Sequence, residues 1–356
     1  MLLRLWVLLL PLVESAERRD NNENQHRLPV YNQERFLRDA LESVGAQTYS
    51  DIEIVVVNDG STDSSLRIAT EYAKRDPRVK IVSQDNGGLL AANVTGIKAA
   101  TGDYICFFDP DDRIGPNFIA SFASEIDEKL DFVARGITYQ YPDRSIDFPL
   151  KEDRVFTCDE LRALSRNYIL DPSMSMDNTI FVARWNKAYR TALLKSFVDK
   201  YAECVDVSLG EDSVFTYLLL RHAKKGKACV SPSSYCYVQH DESMTHAVDP
   251  ERLLEKCNTT FEHFSRIIGD YDGDLTPARL LYCAQLTGGV ANAVDAELPE
   301  AAGFYERIIA SERFQDAIAC AHRLTAGKNI NIELLYRRVP YRLYRFARRA
   351  YLVLKK

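Results

Sequence analysis

The first part of the chain alternates between helical and extended hydrophobic patterns. Residues 34–46 place apolar side chains at helical spacing, and residues 52–57 are a short β-branched run typical of a buried strand. The elements predicted next are helix 66–75, strand 79–83, helix 89–100 and strand 103–108. This order predicts an α/β fold with a mainly parallel sheet, helices on both faces and a ligand crevice beyond the carboxyl ends of the strands.

Changes in the pattern divide the chain into three predicted parts. Residues 1–27 combine an apolar run with a polar linker, and we treat this start as doubtful. Residues 28–248 form the predicted α/β domain, within which Thr157 and Glu160 have the spacing of a capping box that opens a helix. Residues 249–356 follow helical spacing almost throughout and form a predicted helical C-terminal region.

The net charge and the cysteines limit which binding partners and which cellular compartment we expect. The formal net charge of −6 argues against a protein that binds nucleic acid over its whole surface. The eight cysteines lack metal-binding spacing, so we expect reduced, mostly buried thiols and a cytoplasmic location. Secretion is the weaker alternative: residues 1–13 resemble the apolar part of a signal peptide, and Asn93 and Asn258 begin glycosylation sequons.

The C-terminus is a basic amphipathic segment. From Arg337 onward it contains eight Lys and Arg residues and no acid, with apolar residues interleaved at spacings of three and four. Such a helix fits an anionic membrane surface, which would make the protein peripheral on the inner face of the plasma membrane. The alternative is a helix packed on its own domain with a solvated basic face.

Acidic residues collect where two predicted strands end. Asp59 follows strand 52–57, and Asp109, Asp111 and Asp112 follow strand 103–108. Carboxylates so close repel one another, and a divalent cation such as Mg²⁺ or Mn²⁺ shared with a substrate diphosphate would neutralise them. A solvated acidic turn is the alternative. The glycine-rich loops of P-loop and classical dinucleotide sites are absent from the sequence, so the metal would hold the diphosphate.

Several motifs stand in the order found in family-2 glycosyltransferases. They are LPVYN at 28–32, SVGAQTY at 43–49, EIVVVNDGSTD at 53–63, NGG at 86–88, GDYICFFDPDD at 102–112, WNKAYR at 185–190 and GEDSVF at 210–215. The chain therefore resembles this family, in its bacterial polysaccharide type, from residue 28 to about residue 245. The helical C-terminal region lies outside the resemblance.

The resemblance implies a GT-A fold, a Rossmann-like nucleotide-binding sheet with flanking helices. It also implies inverting transfer of a sugar from a nucleotide diphosphate sugar, by resemblance a UDP-sugar, to a hydroxyl of a saccharide or lipid-linked acceptor. Synthesis of a surface polysaccharide is the expected context. A catalytically inactive sugar-nucleotide-binding or scaffold protein of the same fold is the alternative.

Residue roles follow from the same resemblance. Pro29, Tyr31 and Glu34 correspond to the loop that contacts the nucleotide, and Asp59 to the carboxylate that reads the base. Asp109 and Asp111 correspond to the DXD pair, with Asp112 as a further metal ligand. Asp212 corresponds to the general base that accepts the proton of the acceptor hydroxyl. Without the resemblance, the sequence favours a structural explanation, in which Asp212 is an acidic residue stabilised by the dipole at the N-terminus of a helix.

Two departures from the family pattern stand out. Ala92 replaces an arginine that the family usually has before the asparagine at Asn93, which removes a cation from the crevice. Residues 20–27 are too polar for the apolar first strand that the family has before Pro29. Either residues 1–13 supply that strand through a long loop, or the first residues reflect a misassigned start or shifted frame, which is our working hypothesis.

Overall fold

The computed structural model describes residues 28–30, 33–166, 168, 182–238, 249–325 and 329–355. Residues 1–27 and Tyr31 lie outside this described part. The chain divides into two compact units. The described residues of the first unit fall within Met1–Leu164, Asn178–Val205 and Val214–Asp241, and those of the second within Ser165–Asp177, Asp206–Ser213 and Glu242–Lys356. The three-part division at residues 28 and 249 stays a prediction.

The first unit begins with a parallel three-stranded sheet. It consists of β1 (Leu28–Val30), β2 (Ile54–Asp59) and β3 (Val79–Gln84), in that order. All six residues of β2 are buried, which explains why this strand is a continuous β-branched run rather than an alternating one. In the register, Val57 lies between Pro29 and Val82.

Two helices link these strands and a third leads from β3 to the next strand, in the order that the sequence predicts. They are α1 (Leu37–Gly45), α2 (Ser65–Ala73) and α3 (Gly88–Ala99). The apolar face of α1 buries Leu37, Ala40, Leu41 and Val44, so the helical spacing seen in the sequence is the face that packs on the core. The predicted α/β alternation is confirmed in this region.

The position of the first strand corrects the sequence analysis. We assigned Pro29 to a loop after that strand and found no apolar segment for the strand itself. Residues 28–30 form β1 and pair in parallel with residues 56–58 of β2. Residues 20–27, on which the prediction of a missing strand falls, lie outside the described residues.

The second sheet of this unit is mixed. Its path is β4 (Tyr104–Cys106), β9 (Lys187–Arg190), β6 (Phe132–Gln140), β10 (Lys225–Val238) and β5 (Arg113–Ile114). Strand β7 (Ser145–Phe148) pairs with β6, and β8 (Arg154–Thr157) pairs with β10. Among these pairs only β6 and β10 run parallel. The expectation of a mainly parallel arrangement therefore applies to the first sheet only, since β4 pairs antiparallel with β9.

Further helices flank the mixed sheet. They are α4 (Phe118–Ala123), α5 (Cys158–Leu164), α6 (Thr191–Ala202) and α7 (Glu211–His222), of which the part from Val214 onward belongs to this unit. The predicted capping box opens α5: the Thr157 backbone N–H donates to Glu160 Oε2 at 2.8 Å, and the Glu160 N–H donates to Thr157 Oγ1 at 3.4 Å. This reciprocal pair satisfies N–H groups that the helix itself leaves free.

The second unit is helical in its described C-terminal part. Its helices are α8 (Pro250–Gly269), α9 (Thr276–Asp295), α10 (Ala301–Ala310), α11 (Glu312–Thr325), α12 (Ile330–Tyr336) and α13 (Tyr341–Lys355). They enclose an apolar core that includes Leu286, Phe304, Phe314 and Tyr344. Within the residues that the structure describes, every helix is too short or too polar to cross a membrane.

The cysteines behave as the sequence predicts. All eight lie in the described part of the chain as thiols without a disulfide bond, and six of them are buried. Burial raises the pKa of Cys106, and it raises the pKa of Cys257 and Cys283 to about 12. These three thiols stay protonated near neutral pH and serve as small apolar core residues.

Candidate functional site

Hydrogen bonds join the loops that follow β1 and β2. The Glu34 backbone N–H donates to Asp63 Oδ2 at 3.0 Å, and the Ser64 N–H donates to Glu34 Oε2 at 3.0 Å. The Gln33 N–H donates to Ser65 Oγ at 2.7 Å. Burial raises the pKa of Asp63, but hydrogen bonds from Ser65 and Glu34 outweigh it, so the pKa is lowered overall. Glu34 therefore helps to shape this edge of the sheet.

The Asp59 carboxylate lies at the end of β2 and is fully buried. Its Oδ1 accepts hydrogen bonds from Gln84 Nε2 at 2.7 Å and from the Gly87 N–H at 2.9 Å, and its Oδ2 accepts from the Gly88 N–H at 2.9 Å. A carboxylate offers about four acceptor positions, so these bonds use most of its capacity. Asp59 holds the loop after β3 against the end of β2.

The turn after Asp59 requires a glycine. Gly60 has a φ of 72°, and a Cβ at this position would lie 2.9 Å from the Asn86 backbone nitrogen. A side chain here would meet both the left-handed backbone conformation and the backbone of the next loop. The close approach brings the NDGSTD and NGG motifs together.

The acidic turn after β4 gathers three carboxylates. One carboxylate oxygen from each of Asp109, Asp111 and Asp112 lies within 4.8 Å of the other two, with Asp109 and Asp112 buried and Asp111 half-buried. The Asp112 N–H donates to the Asp109 carbonyl at 3.1 Å and closes the turn. The structure thus brings together the residues that the sequence analysis predicts as metal ligands.

The environment of Asp112 is electrostatically strained. Burial raises its pKa well above the ordinary value, and the charges of Asp111 and Asp109 raise it further, against hydrogen bonds that lower it. Hard carboxylate oxygens grouped in this way fit Mg²⁺ or Mn²⁺, whose charge would offset the repulsion. The residues present therefore suit the metal that the family resemblance implies.

A cavity of 230 Å³ adjoins the acidic turn. Its lining residues are Arg35, Phe36, Asp39, Pro110, Asp111, Asp112, Arg113 and Val238. It combines the segment after Glu34 with the acidic turn, so two separate predicted motifs meet at one cavity. Two arginines supply positive charge there, and Arg113 Nη2 lies 3.7 Å from Asp39 Oδ2.

The alanine that departs from the family pattern has a packing role. Ala92 is fully buried on α3 against Val55 and Val57 of β2. Arg35 and Arg113 line the cavity beside the acidic turn and bring positive charge there. The neighbouring Asn93 is 2% exposed, which argues against its glycosylation in the folded chain.

Asp212 lies in the first turn of α7, beside the buried Glu211. The dipole of a helix stabilises a carboxylate in its N-terminal turn. The position of Asp212 is therefore also compatible with a purely structural role at the start of α7. Its role as a general base stays a prediction. The same holds for nucleotide contacts of Pro29, Glu34 and Asp59, and the prediction for Tyr31 lies outside the described residues.

The sequence analysis missed several residues at this site. They are Arg35, Gln84, Arg113 and Tyr235. Arg35 and Arg113 stand next to motifs that we did identify, and their basic side chains were the available signal. Tyr235 had no such signal, because it is 123 residues from its partner Asp112.

Comparisons with known proteins agree with this geometry. The sequence profile described as Glycosyl transferase family 2 matches residues 28–197. The uncharacterized glycosyltransferase EpsJ of Bacillus subtilis is 35% identical over 221 residues, which cover 61% of each chain. The minor teichoic acid biosynthesis protein GgaB of the same organism is 37% identical over 118 residues, 32% of this chain and 13% of that protein. This chain thus spans about three fifths of EpsJ and less of GgaB.

A solved structure shares the fold. TarS 1–349 of S. aureus in complex with UDP-GlcNAc has a TM-score of 0.57 at 20% identity, covering 87% of this chain and 89% of that one. At this identity the likeness shows the GT-A fold alone. The matching profile and the curated relatives identify residues 28–197 as a domain of glycosyltransferase family 2.

Proposed function

We propose that this protein is a metal-dependent, inverting glycosyltransferase. It transfers a sugar from a nucleotide diphosphate sugar, a UDP-sugar in our proposal, to a hydroxyl of a saccharide or lipid-linked acceptor during synthesis of a surface polysaccharide. The observation that carries this proposal is the acidic turn at the cavity, where three carboxylates lie within 4.8 Å of one another in a family-2 domain. Similarity to a teichoic acid biosynthesis protein supports the polymer context.

The acidic turn would bind the metal. Asp109, Asp111 and Asp112 would hold Mn²⁺ or Mg²⁺, which when bound stabilises negative charge on the departing diphosphate. Arg35 and Arg113 at the same cavity would add positive charge toward the phosphates. They would replace the cation that Ala92 removes.

The loops at the strand ends would bind the nucleotide. In this proposal Pro29, Tyr31 and Glu34 contact the nucleoside, and the remaining acceptor capacity of Asp59 reads the base. The hydrogen bonds that Asp59 accepts from the loop after β3 support a preorganised site, because its carboxylate is held without help from a ligand.

The proton of the acceptor hydroxyl would pass to Asp212. The attacking oxygen must lose this proton as it bonds to the anomeric carbon, and a carboxylate opposite the leaving group can accept it. Attack from that side inverts the anomeric configuration. Asp212→Asn would keep the size of the side chain and remove the base, so binding of UDP would persist while transfer is lost.

A membrane surface would bring the enzyme to its acceptor. Helix α13 buries Tyr344 and exposes Leu343 and Phe346, which are 58% and 73% exposed. Arg342 is exposed beside them. Apolar and basic side chains on one outward face support binding to anionic lipid on the cytoplasmic side of the plasma membrane. Eight free cysteines support the same compartment.

Two observations support the active enzyme over the inactive alternative. Residues 28–30 pair with β2 as β1, and Ala92 fills a core position against β2. Both departures from the family pattern are thus compatible with an intact domain. The active enzyme is the function that we propose.

Calorimetric titration of UDP, with and without Mn²⁺, tests the donor site first. Wild-type protein should bind UDP more tightly with Mn²⁺, and Asp111→Ala should lose this difference. Asp143→Asn is the matched control, because Asp143 is 72% exposed and pairs with Arg144 on a surface turn. Equal UDP binding with and without metal by folded wild-type protein contradicts a metal-dependent donor site. A panel of UDP-sugars then identifies the donor.

A further inference from the structure

One tyrosine contacts both ends of the acidic turn. The Tyr235 hydroxyl donates a hydrogen bond to Asp112 Oδ2 at 2.6 Å and accepts one from the Asp109 backbone N–H at 3.2 Å. The other oxygen of Asp112 accepts from the Val238 N–H at 2.9 Å. Both oxygens of this buried carboxylate are therefore held by the end of β10.

The tyrosine ring is itself fixed on several sides. Tyr235 is fully buried, and Trp185 stacks on it with a centroid distance of 4.3 Å and an interplanar angle of 15°. The rings of Phe108 and Phe118 lie 5.9 Å from it. A hydroxyl on a ring packed in this way has little freedom to turn away from the carboxylate.

The backbone of β10 directs the tyrosine toward the turn. Register shifts interrupt the pairing of β10 with β6 between Cys229 and Cys236, and Ser234 has a φ of 63°. After this irregularity Tyr235 pairs with Ile114 of β5, two residues beyond Asp112. Bulges commonly re-aim a side chain beside an active site, and here the bulge faces the metal-binding segment.

We infer that Tyr235 is a positioning residue for metal binding, which acts by orienting Asp112 and the Asp109 backbone. This inference rests on the proposed metal-dependent donor site. The tyrosine holds Asp112 in place, so that the carboxylates of Asp109 and Asp111 keep the spacing that a divalent cation needs. Without the hydroxyl, Asp112 Oδ2 loses its donor in a buried and negatively charged environment and turns away.

The expected effect is on metal affinity. Removal of a partner that orients a metal ligand typically weakens metal binding by about 10- to 100-fold. Tyr235→Phe keeps the ring and its stack on Trp185, so we expect a loss in this range for Mn²⁺ in the presence of UDP. The affinity for UDP without metal should stay within about twofold of wild type.

Tyr104→Phe is the matched control. Tyr104 is also fully buried in the first unit, and its hydroxyl donates to the carbonyls of Leu130 at 2.7 Å and Asp127 at 3.2 Å. Both variants remove one hydroxyl from a packed ring, and comparable losses of unfolding free energy are expected. Only Tyr235→Phe should weaken Mn²⁺ binding, because the Tyr104 hydroxyl bonds to carbonyl groups and not to the acidic turn.

The experiment titrates Mn²⁺ into the full chain with UDP, by calorimetry and by the electron paramagnetic resonance signal of free Mn²⁺. Val238→Pro removes the other hydrogen-bond donor to Asp112. It gives a second test of whether the hydrogen bonds to Asp112 support metal binding, if Tyr235→Phe folds poorly. Mn²⁺ affinity within twofold of wild type in the Tyr235 variant, or an equal loss in Tyr104→Phe, overturns the inference. Failure of wild-type protein to bind Mn²⁺ instead overturns the proposed metal site and this inference with it.

Discussion

The carboxylate of Asp59 accepts a 2.7 Å hydrogen bond from Gln84, which stands at the end of the neighbouring parallel strand. Two further bonds to the same carboxylate come from the backbone N–H groups of Gly87 and Gly88. The residue predicted to read a nucleotide base is thus also the residue that holds the loop beside it. The proposed role in binding and the structural role in the loop therefore fall on the same carboxylate.

Asp59→Asn should therefore lower both stability and nucleotide affinity. An amide offers one acceptor oxygen in place of two, so at least one of the three donors loses its bond to a charged acceptor, at a cost of about 1–3 kcal/mol. Urea denaturation measures this loss, and calorimetry measures UDP binding. Asp199→Asn is the control, because Asp199 is 85% exposed in an ion pair with Lys98 and should change stability by less than about 1 kcal/mol. An Asp59 variant as stable as wild type contradicts the anchoring role.

Gly60→Ala should destabilise the domain by about 1–3 kcal/mol. The positive φ is unfavourable for alanine, and the added Cβ would meet the Asn86 backbone nitrogen at 2.9 Å. Gly303→Ala provides the opposite control, since Gly303 lies in α10 with no atom within 4 Å of an added Cβ. That variant should gain up to about 1 kcal/mol through helix propensity. Thermal unfolding of both variants checks the difference in sign.

Exchange of Leu343 and Phe346 for glutamate should abolish vesicle binding. The substitutions remove two apolar side chains from the outward face of α13 and add two negative charges that repel anionic lipid. Sedimentation with phosphatidylserine vesicles should therefore fall at least tenfold. Val205→Glu is the control, because Val205 is exposed but lies outside this helix. Binding by wild-type protein should weaken as salt rises. Unchanged sedimentation of the double variant would rule out α13 as the membrane contact.

His222 should make the protein less stable as the pH falls below about 6.5. Burial lowers its pKa, and the charge of Arg221 lowers it further. The unfolded chain then binds a proton more readily than the folded chain, so stability is complete above the unfolded pKa and is lost toward the lower, folded value. His222→Gln should flatten this part of the profile in urea melts between pH 7 and pH 5. A slope identical to that of wild type would show that other groups control it.

Local patterns in the sequence determined most of the element order. The β-branched run of β2, the apolar face of α1 and the capping box of Thr157 and Glu160 each depend on neighbours within one turn or one strand. The acidic turn was predictable for the same reason, since its three carboxylates lie within four consecutive residues. Backbone conformation and hydrophobic spacing act over such short distances, so these features can be read directly from the sequence.

Only the tertiary structure decided which distant groups meet. Three such relationships leave no mark in local periodicity. They are the contact between Asp112 and Tyr235, 123 positions apart in the chain, the assignment of β4 to the mixed sheet, and the pairing of residues 28–30 with β2. The sequence showed that α13 is amphipathic, whereas packing of Tyr344 selected the face that remains exposed. These relationships arise from the packing of whole elements within each unit, whose energy depends on residues far apart in the chain.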